Sequence, residues 1–119
     1  MPKDYTDLIV WQKAMDLVTE VYRITRELPK DELFGLTSQL RRAAVSIPSN
    51  IAEGQGRLSK GEFRLFLGNA RGSLSELETQ ILIASNLNFI SEIDSSRILE
   101  MTKEVGRTLN GLISSTKRT

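Results

Sequence analysis

Neither cysteine nor histidine occurs among the 119 residues of this chain. Their absence excludes zinc sites built from thiolate or imidazole ligands, and it excludes catalytic dyads and triads that use either side chain. It also excludes the di-iron sites of four-helix proteins, which need Glu-x-x-His pairs. Because only carboxylate, hydroxyl or lysine chemistry would remain, we expect a protein that is not an enzyme and that uses no cofactor or metal.

Long hydrophobic runs are also missing from the sequence. No stretch approaches the ~20 apolar residues that span a bilayer, and the first residues do not have the pattern of a signal peptide. A chain without cysteine has no disulfide framework, which fits a reducing compartment. We therefore expect a cytoplasmic protein with no membrane partner, folded as a single domain over residues 1–119.

Apolar residues recur at alternating three- and four-residue steps, which predicts four helices over about residues 8–28, 36–54, 60–87 and 92–114. We expect Pro29 to end the first helix and Gly54 to stop the second. The short connections favour an all-α, antiparallel up-down-up-down four-helix bundle. The predicted seam residues are Val10, Ala14, Leu17, Val21, Ile24 and Leu28; Leu36, Leu40, Ala43, Ala44, Ile47 and Ile51; Phe63, Leu67, Ala70, Leu74, Leu77, Ile81 and Ala84; and Ile98, Met101 or Thr102, Val105, Leu109 and Leu112.

The third helix has the clearest start signal in the chain. Ser59 and Glu62 match a capping box, in which a serine hydroxyl accepts a hydrogen bond from a backbone N–H three residues later. Leu58 and Phe63 occupy the two positions of a hydrophobic staple, so we expect them to be in contact. Ser91 has the same capping position before the fourth helix.

Pro48 lies inside the second predicted helix, where a missing N–H and a ring clash cost ~3 kcal/mol. We expect one continuous helix that is kinked at Pro48. A line of polar residues runs beside the apolar face of this helix, and the third helix has a counterpart. The polar residues are Gln39, Arg42, Ser46, Asn50 and Glu53 on the second helix and Asn69, Ser73, Glu76 and Gln80 on the third.

Two interpretations of the polar lines are open. In the first they form a structural network: Arg42 pairs with Glu76 or Glu53, because a half-buried charge needs a partner. Ser46 and Asn50 then cap backbone carbonyls that Pro48 leaves without a donor. In the second interpretation Glu53 and Glu76 act as a catalytic acid and base.

The third helix carries a second periodic face of small and apolar residues. Each glycine within a helix costs ~1 kcal/mol relative to alanine, so two on one face indicate that something packs there at short range. Either a neighbouring helix of the same bundle or another copy of the chain would fit. The residues of this face are Leu65, Gly68, Gly72, Ser75, Thr79 and Leu82.

Positive charge concentrates between residues 41 and 71, where six basic residues face two acidic ones although the whole chain carries only +1. Exposed cations near a helix start suit contacts to phosphate. The candidate nucleic-acid-binding residues, which we call the basic cluster, are Arg41, Arg57, Lys60, Arg64 and Arg71. A solvated basic corner without a ligand is the alternative.

Several segments together resemble a bacterial four-helix-bundle family known from proteins encoded in intervening sequences of the large-subunit (23S) ribosomal RNA gene. The most specific is Ser-Ile-Pro-Ser-Asn-Ile-Ala-Glu-Gly at residues 46–54. The others are Trp11 with the first helix seam, Leu28-Pro29, Gly35-Leu36, residues 39–43 and residues 72–78, and the likeness covers about residues 5–113.

The resemblance implies a left-handed antiparallel bundle that assembles into a barrel-like homopentamer. A related branch contains the accessory proteins of diversity-generating retroelements, which present a basic surface to nucleic acid and to a reverse transcriptase. This chain departs from that branch because it is nearly neutral. We expect a homo-oligomer that binds the backbone of RNA or DNA through the basic cluster, or alternatively a scaffold whose partner is another protein.

Overall fold

The structure is a computed structural model that describes residues 4–117, most of which lie in four α-helices. Helix α1 covers Ile9–Thr25, α2 Leu36–Gln55, α3 Lys60–Asn86 and α4 Glu92–Thr116, with 3-10 turns at Tyr5–Asp7 and Lys30–Glu32. No strand occurs among residues 4–117, so the all-α four-helix bundle is confirmed. Within the same residues no helix is apolar over a length that would cross a membrane.

Side-chain contacts show that α2 and α3 run antiparallel. Ser46 on α2 meets Ser73 on α3, while Arg42, earlier on α2, meets Glu76, later on α3. Helices α1 and α4 also lie side by side, so the four helices close a ring in which α1 and α3 are diagonal neighbours. The bundle is elongated, with extents of 47 × 24 × 20 Å, so its two ends are well separated. The left-handed twist stays a prediction.

The core consists largely of the predicted seam residues. All six seam positions of α1 and its extension, from Val10 to Leu28, are buried. On α4 the buried residue is Thr102 rather than Met101, which is only half-buried. The Thr102 hydroxyl lies 2.8 Å from the Leu99 carbonyl and 2.7 Å from Oε2 of Glu78, so this polar group has partners inside the core.

All four helices end within three residues of the expected positions, and the ends of α1 and α2 show why they differ. Helix α1 ends at Thr25, because the N–H of Leu28 turns back to the Thr25 carbonyl at 3.2 Å in a tighter turn. Helix α2 continues through Gly54 and ends at Gln55, with Gly56 as its C-terminal cap. Gly54 is therefore a buried helical residue and not the stop that the sequence predicts.

The helix starts are only partly as expected. Ser59 accepts a hydrogen bond from the Glu62 N–H at 3.1 Å, and Ser91 accepts one from the Asp94 N–H at 3.1 Å, so both caps are confirmed. The hydrophobic staple is wrong, because Leu58 is fully exposed. The connection from Gly56 to Ser59 directs this side chain away from the bundle, so it does not cover Phe63.

Helix α2 contains Pro48 and is continuous from Leu36 to Gln55, as predicted. Pro48 is buried, so its ring contributes to the packing of the core. In an α-helix a proline withdraws the hydrogen bond to the carbonyl four residues earlier, which here belongs to Ala44. The kink itself stays a prediction.

Candidate functional site

The polar lines of α2 and α3 meet around Ser46. Its hydroxyl lies 2.8 Å from the Ser73 hydroxyl across the helix interface. The side-chain amide of Asn50 donates to the Ser46 carbonyl at 2.8 Å and to the Ser46 hydroxyl at 3.0 Å. Asn50 therefore binds the carbonyl of Ser46 and not that of Ala44, which is the one Pro48 leaves without a helical donor. All three side chains are half-buried, which makes the group a local connection between two helices.

Arg42 extends this connection to the surface. Its Nη2 donates to Oε1 of Gln39 at 2.5 Å and lies 3.5 Å from Oε2 of Glu76. The side chains of Arg42 and Glu76 are 63% and 43% exposed, and exposed ion pairs contribute only about 0–1 kcal/mol. The Arg42–Glu76 pair therefore positions side chains more than it stabilises the fold.

Glu53 lies outside the network to which the sequence assigns it. Its Oε2 is 2.8 Å from Nη2 of Arg57, at the end of α2. Glu76 pairs with Arg42, which precedes Glu53 by eleven residues or roughly 16 Å of helix. The two carboxylates do not share a site, so the acid–base interpretation loses its geometric basis. Within residues 4–117, no group of three acidic residues is placed to hold a metal ion.

Arg57 is at the centre of the connection between α2 and α3, and acidic neighbours balance its charge. Besides Glu53, Oε2 of Glu62 lies 3.9 Å from Nη1 of Arg57. The guanidinium also stacks over the ring of Phe66, 4.7 Å from its centroid. Arg57 therefore holds the end of α2 against α3, and two carboxylates would compete with any phosphate for its donors.

Arg64 also has a structural role, because it binds the end of α4. Its Nη2 donates to the backbone carbonyl of Thr116 at 3.1 Å, and its Nε donates to the Thr116 hydroxyl at 3.2 Å. Thr116 is the last residue of α4, where carbonyls lack helical partners and the helix dipole favours a positive charge. Arg64 is half-buried and caps α4.

Lys60 and Arg71 are the members of the basic cluster with the most accessible charges. Lys60 is the first residue of α3, is exposed, and forms no ion pair within residues 4–117. Arg71 is exposed and makes one hydrogen bond, from Nη1 to Oδ1 of Asn110 at 3.2 Å. Lys117 follows the end of α4 and was missed by the sequence analysis. It would have been found from the antiparallel pairing, which brings the end of α4 to the start of α3.

Arg41 lies far from the other members of the basic cluster. Its Nε donates to the Thr25 hydroxyl at 2.9 Å, and its guanidinium lies 4.6 Å from the centroid of the Tyr22 ring. Arg41 and Gln55 are fourteen residues apart on α2, which corresponds to roughly 21 Å. The structure thus places Arg41 at the opposite end of the bundle from Lys60.

The small-residue face of α3 points outward. An added Cβ at Gly68 or at Gly72 would meet nothing within 4 Å. Leu65 and Leu82 are 63% and 50% exposed, so no helix of the same chain covers this face. Packing against a neighbouring helix of the bundle, one of the two explanations for these glycines, is therefore wrong. Over the described length of α3 the face is also uncharged.

A series of ion pairs joins α1 and α4, and the sequence did not predict it. Nζ of Lys13 donates to Oε1 of Glu104 at 2.7 Å, and Arg107 donates to Oε2 of the same carboxylate at 2.7 Å. These hydrogen bonds, with that from Lys13 the larger, lower the pKa of Glu104 below its ordinary value of 4.5. Arg97 and Arg23 connect the same helices through Glu20 and Asp94.

Known protein families and solved structures agree with the four-helix bundle described above. The profile of the 23S rRNA-intervening sequence protein family matches residues 6–111. A crystal structure of a protein of unknown function from the S23 ribosomal protein family of Bacteroides thetaiotaomicron superposes with a TM-score of 0.83 at 20% identity, covering 89% of this chain and 96% of that one. That likeness shows a shared fold, and a comparison with curated protein sequences finds no match. This chain belongs to the 23S rRNA-intervening sequence protein family.

Proposed function

We propose that this chain is a non-enzymatic bundle protein whose copies assemble through the outer face of α3. The observation that carries the proposal is the composition of that face. Charged residues make up 26% of the chain, yet the face defined by Leu65, Gly68, Gly72, Ser75, Thr79 and Leu82 contains none. Two glycines there, with open space above them, allow a partner helix to approach closely.

The position of the face favours a ring of copies. Helices α1 and α3 are diagonal in the bundle, so their outer faces point in opposite directions. On the α1–α2 side Met15, Tyr22 and Val45 are each about 40% exposed. Contact between this side of one copy and the α3 face of the next is head-to-tail, and such contacts form a closed ring when the rotation between copies divides a full turn. The family resemblance implies that the ring has five members.

Gly72→Glu tests the assembly, because a charge at the centre of the α3 face would be buried without a partner. We expect light scattering after size exclusion to give a multiple of the monomer mass for the wild type and the monomer mass for Gly72→Glu. Gly111→Glu is the matched control, since it adds the same charge to an exposed and open position of α4. A monomeric wild type, or equal masses for the two variants, would contradict the proposal.

A second candidate function is binding of the RNA or DNA backbone at the connection between α2 and α3. The observation that favours it is that Arg57, Lys60, Arg64 and Lys117 gather at one end of the bundle, at the start of α3. Because Arg57 and Arg64 are engaged internally, we assign the phosphate contacts to Lys60 and Lys117 at this end and to Arg71, which lies roughly 16 Å further along α3. Arg41 does not belong to this surface.

The double variant Lys60→Gln with Arg71→Gln tests this candidate. Binding of labelled RNA or DNA should weaken steeply with salt, with a slope of about −0.9 on a log–log plot for each phosphate contact to duplex DNA. We expect the double variant to lose about two such contacts. Lys103→Gln with Arg107→Gln removes the same charge from α4 and serves as the control. Salt-sensitive binding that both pairs weaken equally would argue against a site at this end.

A further inference from the structure

A groove lies at the end of the bundle away from Lys60, between the end of α1, the connection at residues 26–35 and the start of α2. It consists of two adjoining depressions of about 490 Å³ and 320 Å³ that share Leu33, Thr37 and Arg41. Tyr22 and Val45 in its lining also lie on the α1–α2 side that the assembly proposal uses, and Arg41 belongs to the basic cluster. Arg26, Lys30 and Phe34 take part in neither. Its lining has an unusual charge pattern and an exposed aromatic side chain.

Four cations line the groove and no carboxylate does: Arg26, Lys30, Arg41 and Arg42. Arg26 and Lys30 are exposed and form no ion pair within residues 4–117. Nearby Glu32 is turned to the start of α2, where its Oε1 accepts the Leu36 N–H at 3.1 Å. Because Arg42 is paired with Glu76, the charge that the groove offers to a ligand comes mainly from Arg26 and Lys30.

Aromatic rings stand beside these cations. Phe34 is 94% exposed, although burying such a side chain is worth about 1.5–3 kcal/mol. Tyr22 is 39% exposed on the opposite wall, and the guanidinium of Arg41 is held over its ring at 4.6 Å. The groove thus places one exposed aromatic ring, that of Phe34, beside cationic side chains.

We infer that this groove binds a single-stranded nucleic acid, with a base stacked on Phe34 and phosphates contacting Arg26 and Lys30. Sites for single strands combine a positive groove with aromatic platforms, and both are present here. An acidic helix would be held by several apolar anchors at helical spacing, whereas this groove offers one fully exposed ring beside the cations Arg26 and Lys30. The inference rests on the proposed nucleic-acid role and gives it a second site.

Phe34→Ala tests the inference, and its exposure means that the fold does not depend on it. Leu58→Ala is the matched control, because it removes an equally exposed apolar side chain at the other end of the bundle. Fluorescence anisotropy would follow a labelled oligothymidine of about 15 nucleotides and a duplex of the same length. We expect Phe34→Ala to weaken single-strand binding roughly tenfold or more, because one stacked base is lost. Duplex binding and the Leu58→Ala variant should be unchanged.

Each other result has a defined meaning. Equal single-strand binding by Phe34→Ala and the wild type would overturn the inference while leaving the Lys60–Arg71 surface intact. A wild type that binds neither strand would remove the whole nucleic-acid role. If Phe34→Ala instead lowers the molar mass in solution, Phe34 contacts another copy and the single-strand site is refuted. If an acidic, leucine-rich peptide displaces the oligothymidine from the wild type, and Phe34→Ala still binds the oligothymidine with unchanged affinity, the groove would be assigned to a protein partner.

Discussion

Gly54 lies where α2 packs tightly against α3. A Cβ at this position would lie 2.7 Å from the Cβ of Phe66 and 3.1 Å from Cδ1 of Phe63. The first distance is too short for two carbon atoms that are not bonded to each other. The Phe66 Cβ is attached directly to the helix backbone, so it cannot move away as the end of a long side chain could. Only glycine therefore allows the two helices to approach this far, which explains the glycine at the end of the Asn-Ile-Ala-Glu-Gly segment.

Replacing Gly54 by alanine should therefore destabilise the fold, even though alanine is the better helix former. Overpacking a core typically costs 1–3 kcal/mol, so we expect the free energy of unfolding to fall by about that amount. Urea unfolding followed by circular dichroism measures it. Gly111→Ala is the control, because its Cβ meets nothing within 4 Å, and it should raise stability by up to ~1 kcal/mol. A neutral Gly54→Ala would mean that α2 and α3 can separate without cost.

Between elements, the α2–α3 interface depends on a small polar connection as well as on apolar seams. The Ser46 and Ser73 hydroxyls are 2.8 Å apart, and Asn50 holds Ser46 from within α2. Removing one hydroxyl leaves the other half-buried with fewer partners, whereas removing both takes away donor and acceptor together. The connection therefore favours one register of the two helices.

A double-mutant cycle over Ser46→Ala and Ser73→Ala measures this connection. We expect each single change to lower the free energy of unfolding by about 1 kcal/mol, and the double change to cost less than the sum by roughly 0.5–1 kcal/mol. Additive effects in chemical denaturation would show that the two hydroxyls do not cooperate. The pair Ser49→Ala and Ser96→Ala, exposed on α2 and α4, provides a reference for changes outside this interface.

Charge connects α1 to α4 in a pH-dependent way. Because Lys13 and Arg107 lower the pKa of Glu104, the fold stabilises the charged carboxylate. That contribution is fully present above the ordinary value of 4.5 and is lost as the pH falls through the lower folded pKa. Glu104→Gln should melt at a lower temperature than the wild type near pH 7, and the difference should shrink as the pH falls below 4.5 and through the lower folded pKa. Glu100→Gln, exposed on the same helix, is the control, and a difference that persists in acid would point to packing instead.

The helical elements could be predicted because burial in a bundle repeats with the helical period. The seam of α1 needs no knowledge of the neighbouring helices, and the Ser59 and Ser91 caps depend only on residues three positions away. The wrong predictions for Gly54 and Glu53 concern residues whose roles are set by their neighbours in three dimensions. Glycine is the residue type that most often stops a helix, but the close approach of α3 decides the role of Gly54. Glu53 shares a helical line with Arg42, yet the nearer guanidinium of Arg57 binds it.

The candidate sites were harder to predict than the helices, because charge along the chain does not give distance in space. The basic cluster looked contiguous between residues 41 and 71, but α2 separates Arg41 from Arg57 by most of the length of the bundle. Lys117, distant in sequence, returns to the same end through α4. Phe34 had no periodic neighbour in the sequence to mark it, and only its exposure in the fold sets it apart.

At the scale of the whole molecule, assembly and nucleic-acid binding are coupled in the proposed function. One copy offers few uncompensated cations at the end that carries Lys60, so its affinity for a strand should be low. A ring repeats that end in every copy, and a strand long enough to reach two copies gains effective concentration without any new contact. A strand too short to span two copies gains nothing. The length of the strand therefore reports whether binding uses the assembly.

Gly72→Glu separates these two contributions, because it is expected to break the ring while it leaves Lys60 and Arg71 in the chain. We expect its affinity for a long strand to fall about tenfold or more, while its affinity for a strand that covers one copy stays near that of the wild type. Fluorescence anisotropy with both lengths measures the ratio. Gly111→Glu carries the same added charge, so any loss through repulsion alone should appear in both variants. Equal losses for long and short strands would mean that each copy binds alone, and the assembly would then serve another purpose than avidity.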